Sequence, residues 1–321
     1  MADHHLDRPI DRRGMLECMG WAGTGTLFAL TSGIAASLTL DQALAATPGP
    51  VTGQAPPVKP FSFLQISDTH IGFKKEANPD VVGTLKATIA KVRALAVQPD
   101  FIVHTGDITH LATPEQFDTA QQLLNELNLP IHFVPGEHDI VDGTDPRAFL
   151  DRFGKGTKGD GWYSFDANGA HFIALVNAVH LADRGMGSLG ADQLAWLKDD
   201  IAHLSASTPI ILLSHFPLWP LFPDWGWGTS DGTEALALLK RFASVTALNG
   251  HIHQVQQKTE GRMVFHAGRS TAFPQPAPGV GPGPGPLVVP PADLLSRIGI
   301  SSMLVRQSAS PLAIIDQTLA E

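Results

Sequence analysis

Residues 131–141 read IHFVPGEHDIV: a four-residue run that suits a buried strand, a Pro-Gly turn, then Glu137, His138 and Asp139, three side chains able to bind a metal. A strand that ends on a glycine turn delivers the next side chains to the carboxyl edge of its sheet. The same arrangement stands twice upstream. FSFLQIS (61–67) runs into Asp68-Thr69-His70, and FIVHT (101–105) runs into Gly106-Asp107.

Helical patterns fill the gaps between these strands. After Asn78-Pro79, a plausible helix start, Val82, Leu85, Ile89, Val92 and Leu95 recur every three or four residues; Thr113-Pro114 then opens a second helix with Phe117, Ala120, Leu124 and Leu127 on one face. The order β-α-β-α-β predicts a parallel sheet with right-handed crossovers. Further strands are expected near 161–166, 170–176, 209–214, 245–249 and 262–267. Helices are expected over 191–204, on Leu194, Leu197, Ile201 and Leu204, and from Thr233. That many strands predicts two stacked sheets flanked by helices. Residues 274–291 (PQPAPGVGPGPGPLVVPP) exclude helix and central strand, because proline removes backbone donors, and they read as a loop. Met303–Arg306 and Leu312–Gln317 then form a closing hairpin in a C-terminal segment, 292–321.

The chain has 321 residues, 43% of them hydrophobic, enough for one large domain or two small ones. A net charge of −9 disfavours a surface that embraces long nucleic acid, while small anions remain possible where a local metal outweighs the global sign. The single cysteine, Cys18, excludes a disulfide framework and any multi-cysteine metal site. Arg12-Arg13, an uncharged stretch from Cys18 to Leu40 and Ala43-Leu44-Ala45 make residues 1–45 look like a twin-arginine export signal. Asp11, Met15 and Glu17 depart from that pattern. Cleavage after Ala45 would leave a periplasmic or secreted protein that meets the membrane only transiently; the alternative is an uncleaved anchor. Residues 46–60 are a Pro-rich linker, and a catalytic domain is expected over 61–272.

Five segments carry metal-ligand side chains, and each follows an expected strand. They are Asp68-Thr69-His70, Gly106-Asp107, Gly136-Glu137-His138-Asp139, Ser214-His215 and Gly250-His251-Ile252-His253. Ligands gather at the carboxyl ends of strands in open α/β sheets, so segments far apart in sequence can converge. The glycines at 106, 136 and 250 read as tight turns. The groups are too many for one structural zinc and suffice for two cations sharing a carboxylate, which polarise a phosphoryl oxygen and make a hydroxide available near neutral pH.

In order and local pattern these segments resemble the calcineurin-like dinuclear metallophosphoesterases, across residues 61 to 272. The resemblance implies a four-layer αββα sandwich of two mixed sheets flanked by helices. Carried over residue by residue, it implies that Asp68, His70 and His253 hold one metal, Asp107 bridges both, and Glu137, His215 and His251 hold the second. It also implies that His138 stands near the leaving-group oxygen, with Asp139 fixing its orientation. The family pattern has an amide where this chain has Glu137. Two divalent ions and one hydroxide facing three carboxylates leave the centre neutral, one unit less positive than with an amide. Glu137 is therefore expected to shift metal preference toward iron or manganese, with zinc also compatible, and to favour a singly charged substrate.

The remaining candidates divide. His104, His132 and His171 lie inside expected strands and read as structural. His110 either contacts substrate or does not. His266 and Arg269 offer a phosphate clamp or a surface salt bridge. Trp219, Trp225 and Trp227 either wall a pocket or pack a loop. The expected function is an exported hydrolase of a small phosphate mono- or diester. The alternatives are a non-hydrolytic metal-binding protein on the same scaffold and, more weakly, a nuclease.

Overall fold

The computed structural model describes residues 60–305 and 312–320. Upstream it describes only the backbone of an antiparallel hairpin, β1 (Thr26–Thr31) with β2 (Ile34–Thr39). The chain divides into two compact units, Met1–Gly53 and Gln54–Glu321. The hairpin belongs to the first unit and every other element to the second. Apart from this hairpin and Pro60, the export signal and the linker lie outside the described residues.

Two mixed sheets form the centre of the second unit. In the first, β3 (Phe61–Ile66), β4 (Phe101–Thr105) and β5 (Ile131–Val134) run parallel. The C-terminal hairpin of β12 (Gly299–Val305) and β13 (Ala313–Thr318) extends that sheet, β12 lying antiparallel to β3. The second sheet has the order β10-β11-β9-β8-β7-β6. Its central strands β7 (Ala170–Ala174), β8 (Ile210–Ser214), β9 (Val245–Asn249) and β11 (Met263–Ala267) are parallel, and β6 (Tyr163–Ala167) and β10 (Gln256–Glu260) are antiparallel edges.

Three apolar layers alternate with these sheets. Phe63, Phe101, Phe172, Ile211, Leu213, Leu248 and Met303 fill the space between the sheets, where the Phe63 and Phe101 rings stack at 5.2 Å and Phe172 meets Phe63 edge-on. Each such side chain stabilises the fold by about 1.5–3 kcal/mol relative to exposure. Helices α1 (Val81–Arg93), α2 (Pro114–Asn125) and α3 (Arg147–Phe153) cover the first sheet through Leu85, Ile89, Phe117, Leu124 and Phe149. Helices α4 (Gly190–Ile201) and α5 (Gly232–Leu239) cover the second through Leu197, Ile201, Ala235 and Leu239. The result is the αββα sandwich.

Local chemistry sets the helix ends. Thr113 caps α2 by accepting the Gln116 amide, with Pro114 at the first helical position, as its sequence suggests. Helix α1 begins later than Asn78-Pro79 indicates. Asn78 is buried and donates to the Ala272 carbonyl at 2.7 Å, while Asp80 accepts the Gly83 amide at 2.8 Å and is the true cap. Strand β10, helix α3 and the short helix α6 (Leu294–Arg297) have no counterpart in the sequence reading.

The strand histidines differ in how they are held. Both ring nitrogens of His171 meet carboxylates, Nδ1 with Asp166 at 2.8 Å and Nε2 with Asp200 at 2.9 Å. Burial opposes charge on this ring, but the hydrogen bonds to Asp200 and Asp166 raise its pKa above the ordinary imidazole value. Its charged form therefore contributes stability that is full below the unfolded-state pKa and lost as pH rises through the folded-state pKa. His171→Asn is expected to cost about 1–3 kcal/mol at mildly acidic pH, and the gap in Tm from wild type should narrow steadily as thermal melts are taken to alkaline pH. A gap that widens with pH would contradict this assignment.

Candidate metal centre

The carboxyl ends of β3, β4 and β5 in one sheet and of β8 and β9 in the other meet at one rim. Asp68, His70, Asp107 and His253 present ligand atoms that all lie within 4.8 Å of one another, and Glu137, His215 and His251 form a second such group beside them. The joints are close. Asp107 Oδ2 stands 3.5 Å from His70 Nε2 and 3.4 Å from His215 Nε2, His253 Nε2 is 3.3 Å from Asp68 Oδ1, and His70 Nε2 faces His253 Nε2 at 3.2 Å.

Glu137 points inward. Its Oε2 is 2.7 Å from His215 Nε2 and its Oε1 is 3.0 Å from His251 Nδ1. Burial favours the neutral carboxyl, but the His251 and His215 imidazoles hold it well below the usual carboxylate range. The same contact works in reverse on His215: burial disfavours its charge, yet Asp107 and Glu137 raise it well above the usual imidazole range. At His215 Nε2 a proton and a cation therefore compete for one place.

The local backbone is unusual. Asp68, His70, Asp107, His251 and His253 all have positive φ, between 44° and 68°. Non-glycine residues rarely adopt this conformation, and each costs of order 1–3 kcal/mol that the surrounding structure must offset. Gly106, at φ 95°, lies in the same region. Gly136 is different. Its φ of −100° is open to any residue, so the expected tight-turn role does not apply; a Cβ there would lie 2.1 Å from Asp107 Oδ1. Gly250 is likewise kept by space, since its Cβ would meet Ser67 Oγ at 2.1 Å.

A second ring of contacts orients the cluster. His215 Nδ1 donates to the Thr105 carbonyl at 2.7 Å and His253 Nδ1 to the Phe273 carbonyl at 2.6 Å, so each presents Nε2 inward. His138 Nδ1 donates to the His110 carbonyl at 2.9 Å, and the His138 backbone amide donates to Asp107 Oδ1. Burial opposes charge on His138, but Asp107 and Glu137, together with that carbonyl, raise its pKa. Asp139 does not orient His138. Its buried carboxylate accepts from the amides of Ile108, Thr109 and Gly136 and from the Thr109 hydroxyl, tying the β4 and β5 turns together. The orientation expected from Asp139 comes instead from the carbonyl of His110, a main-chain group that no side-chain pattern displays.

Asp68 Oδ2 is buried without a hydrogen bond among the described residues, and Glu137 Oε2, His215 Nε2 and His251 Nδ1, although Glu137 stands close to both rings, make no well-directed one. Buried acceptors and imidazole nitrogens left facing one another are costly unless a cation joins them. The residues fit a pair of metal ions.

The other candidates fall into place around this cluster. The His110 ring stacks on His138 at 4.7 Å and lines a cavity beside the cluster. His266 is buried and bonds Asp316 at 3.0 Å, and Arg269 donates to the Arg297 carbonyl, so neither joins the cluster. Trp219 packs into the core against Phe265, whereas Trp225 and Trp227 line a cavity that also touches Glu137 and His251.

The profile of the calcineurin-like phosphoesterases matches residues 61–255. The chain belongs to that family. Members bind two metal ions, and the chain is a phosphoesterase. It is 26% identical over 222 residues to a 3′,5′-cyclic-nucleotide phosphodiesterase of Nostoc sp., covering 67% of this chain and 79% of that one. It is 27% identical over 210 residues to a glycerophosphodiester phosphodiesterase of Enterobacter lignolyticus, covering 60% of this chain and 71% of that one. Among solved structures, a dimetal phosphatase from Danio rerio superposes with a TM-score of 0.59 at 16% identity, over 81% of this chain and 99% of that chain. That likeness shows the fold.

Gly136→Ala tests how tightly the cluster is set. The added methyl must displace Asp107, and a misplacement of this kind is expected to cost about 100-fold in turnover with the circular dichroism spectrum retained. Turnover within about twofold of wild type would show that the cluster tolerates such a shift.

Proposed function

We propose that this chain hydrolyses small phosphodiesters at a two-metal centre and works outside the cytoplasm. The observation that carries the reading is the convergence of two ligand groups on Asp107, one with Asp68, His70 and His253 and one with Glu137, His215 and His251. Two bound ions supply the positive charge that an attacked phosphoryl group needs and lower the pKa of water. Asp107 faces both groups and would be the ligand they share. Because His138 Nδ1 donates to a carbonyl, which only accepts, Nε2 is the ring nitrogen left to face the departing alkoxide, and it would give up a proton there as the alcohol leaves.

The preference for diesters rests on charge. Asp68, Asp107 and Glu137 put three carboxylates at the centre, which lowers its attraction for a monoester dianion relative to a diester monoanion. The naming of relatives for cyclic-nucleotide and glycerophosphodiester substrates supports the same reading. The third carboxylate, Glu137, moves a donor set of three carboxylates and four imidazoles toward the harder ions iron and manganese, with zinc compatible.

Elemental analysis of the purified protein, run with turnover of a chromogenic monoester and diester under manganese, iron and zinc separately, tests this. Two ions per chain and a diester rate at least tenfold above the monoester rate are expected, about 1.4 kcal/mol of discrimination. In Glu137→Asn the iron and manganese share should fall and the diester preference shrink several-fold. An unchanged metal content and substrate ratio would remove the role given to Glu137, and no hydrolysis of either ester with two ions bound would sink the proposal.

Export rests on Arg12-Arg13 and the uncharged stretch behind them. Replacing both arginines with lysine is expected to leave the protein in the cytoplasmic fraction. Unchanged release into the periplasm or medium would argue against a twin-arginine route.

A further inference from the structure

The loop 274–291, which joins β11 to the C-terminal segment, is held over the metal rim. Gln275 donates through Nε2 to the carbonyl of His251 at 3.0 Å, Gln254 donates to the Pro276 carbonyl at 2.9 Å, and the Leu287 amide returns to the Pro274 carbonyl at 2.8 Å. Gly285 thereby lines two cavities beside the cluster, one past His110 and the other past Glu137 and His251 toward the tryptophan loop. The loop carries no charged side chain. Its apolar side chains nevertheless stand in solvent: Val280 is 61% exposed, Val288 50% and Leu287 40%.

These three belong to a wider pattern. Among the described residues nine large hydrophobic side chains are exposed, and six of them stand on loops that follow parallel strands at this one rim. Besides the three after β11, they are Leu111 after β4, Val141 after β5 and Leu181 after β7. The other three are dispersed: Val97 precedes β4 at the opposite end, Leu295 is on α6 and Ile315 on β13. Single exposed apolar side chains are ordinary on a protein surface, whereas their concentration at one end marks a place of contact.

The six surround the mouths of the two cavities. Leu181 and Trp225 line the second cavity together with Pro284 and Gly285; Pro286, next to Leu287, lines the first with His110, next to Leu111. A Cβ on Gly279, next to Val280, would touch the Phe222 ring at 3.6 Å. The His180 amide donates to the Gly143 carbonyl at 3.2 Å, which ties the loop of Leu181 to that of Val141.

Side chains on separate loop tips need depth rather than a matching pocket to bury them, and a bilayer interface supplies about 5–10 Å of it. Trp225, half-buried edge-on to Phe222 at the same mouth, is the side-chain type that settles at headgroup level. The net charge of −9, with Asp142 and Asp183 on these same loops, opposes approach to an anionic surface. Arg184 and Asp224 beside Trp225 are paired with each other at 2.7 Å, so the attraction is apolar rather than Coulombic.

We infer that this rim is a docking surface for a zwitterionic lipid bilayer, with Val280, Leu287 and Val288 inserted and Trp225 at headgroup depth. Docked in this way, the molecule turns the mouths of both cavities toward the lipid headgroups. The inference goes beyond the proposed diesterase activity and does not depend on it.

The test uses the full chain and phosphatidylcholine vesicles, plain or brominated in the acyl chains, with no turnover required. It compares wild type, the triple variant Val280→Ser, Leu287→Ser and Val288→Ser, the single variant Trp225→Phe, and Val97→Ser as a control at the opposite end. Wild type should float with the vesicles and stay bound as salt is raised. The triple variant should partition at least about tenfold more weakly, and Val97→Ser should match wild type. Brominated lipid should quench the tryptophan emission of wild type more than that of Trp225→Phe. This last difference decides, because binding through residues 1–45 would leave it absent. Its absence overturns the proposal whatever the flotation shows, as does an equal loss of binding in Val97→Ser. A dimer in solution that the triple variant dissolves would also overturn it, by assigning the rim to a second copy of the chain.

Discussion

Asp107 is the constraint around which this rim is built. Its Oδ2 lies midway between His70 of one ligand group and His215 of the other, and its Oδ1 accepts the backbone amide of His138. To reach that place the residue takes a left-handed backbone, Gly106 before it does the same, and Gly136 gives up its side chain to leave room. A carboxylate held this close to two imidazoles and a neighbouring Glu137 is stable only while opposite charge stays in the cluster. Protons on His215 or metal ions can provide that charge.

The two sheets serve this requirement directly. Parallel strands β3, β4 and β5 aim their carboxyl ends at the same rim as β8 and β9, and a line of polar contacts crosses from one sheet to the other beneath the cluster. Gln65 on β3 donates to the Asn249 carbonyl on β9, and His215 after β8 donates to the Thr105 carbonyl on β4. Below that line the contact between sheets is apolar, led by Phe63, Phe101 and Phe172. The packed phenylalanines fix the spacing of the sheets, and because each ligand group draws side chains from both sheets, that spacing sets how closely the members of each group meet.

Much of this was legible from residue order alone. Apolar runs of four to seven residues, each ending on a glycine or serine and then a ligand-type side chain, disclosed the strands and the rim together, because a parallel strand exposes function only where it ends. What stayed hidden depends on the main chain and on space. The orienting role expected of Asp139 belongs to the His110 carbonyl, and every residue carries a carbonyl. The left-handed backbone at five cluster residues has no composition signal when the residues are Asp and His rather than Gly. Gly136 resembled a turn glycine and proved to be a clearance for Asp107. Trp219 and Trp227 look alike in sequence and both are buried, yet Trp219 packs under the second sheet's helices while Trp227 packs on Ile252 and Ala267 beside the cluster.

The central claim is that Asp107 joins two metal ions. Anomalous scattering from crystals grown with manganese measures it most directly. The account predicts two peaks about 3.5–4 Å apart, both within coordination distance of Asp107, one also contacting Asp68, His70 and His253 and the other Glu137, His215 and His251. A single peak, or two that leave Asp107 or Glu137 unligated, would contradict it.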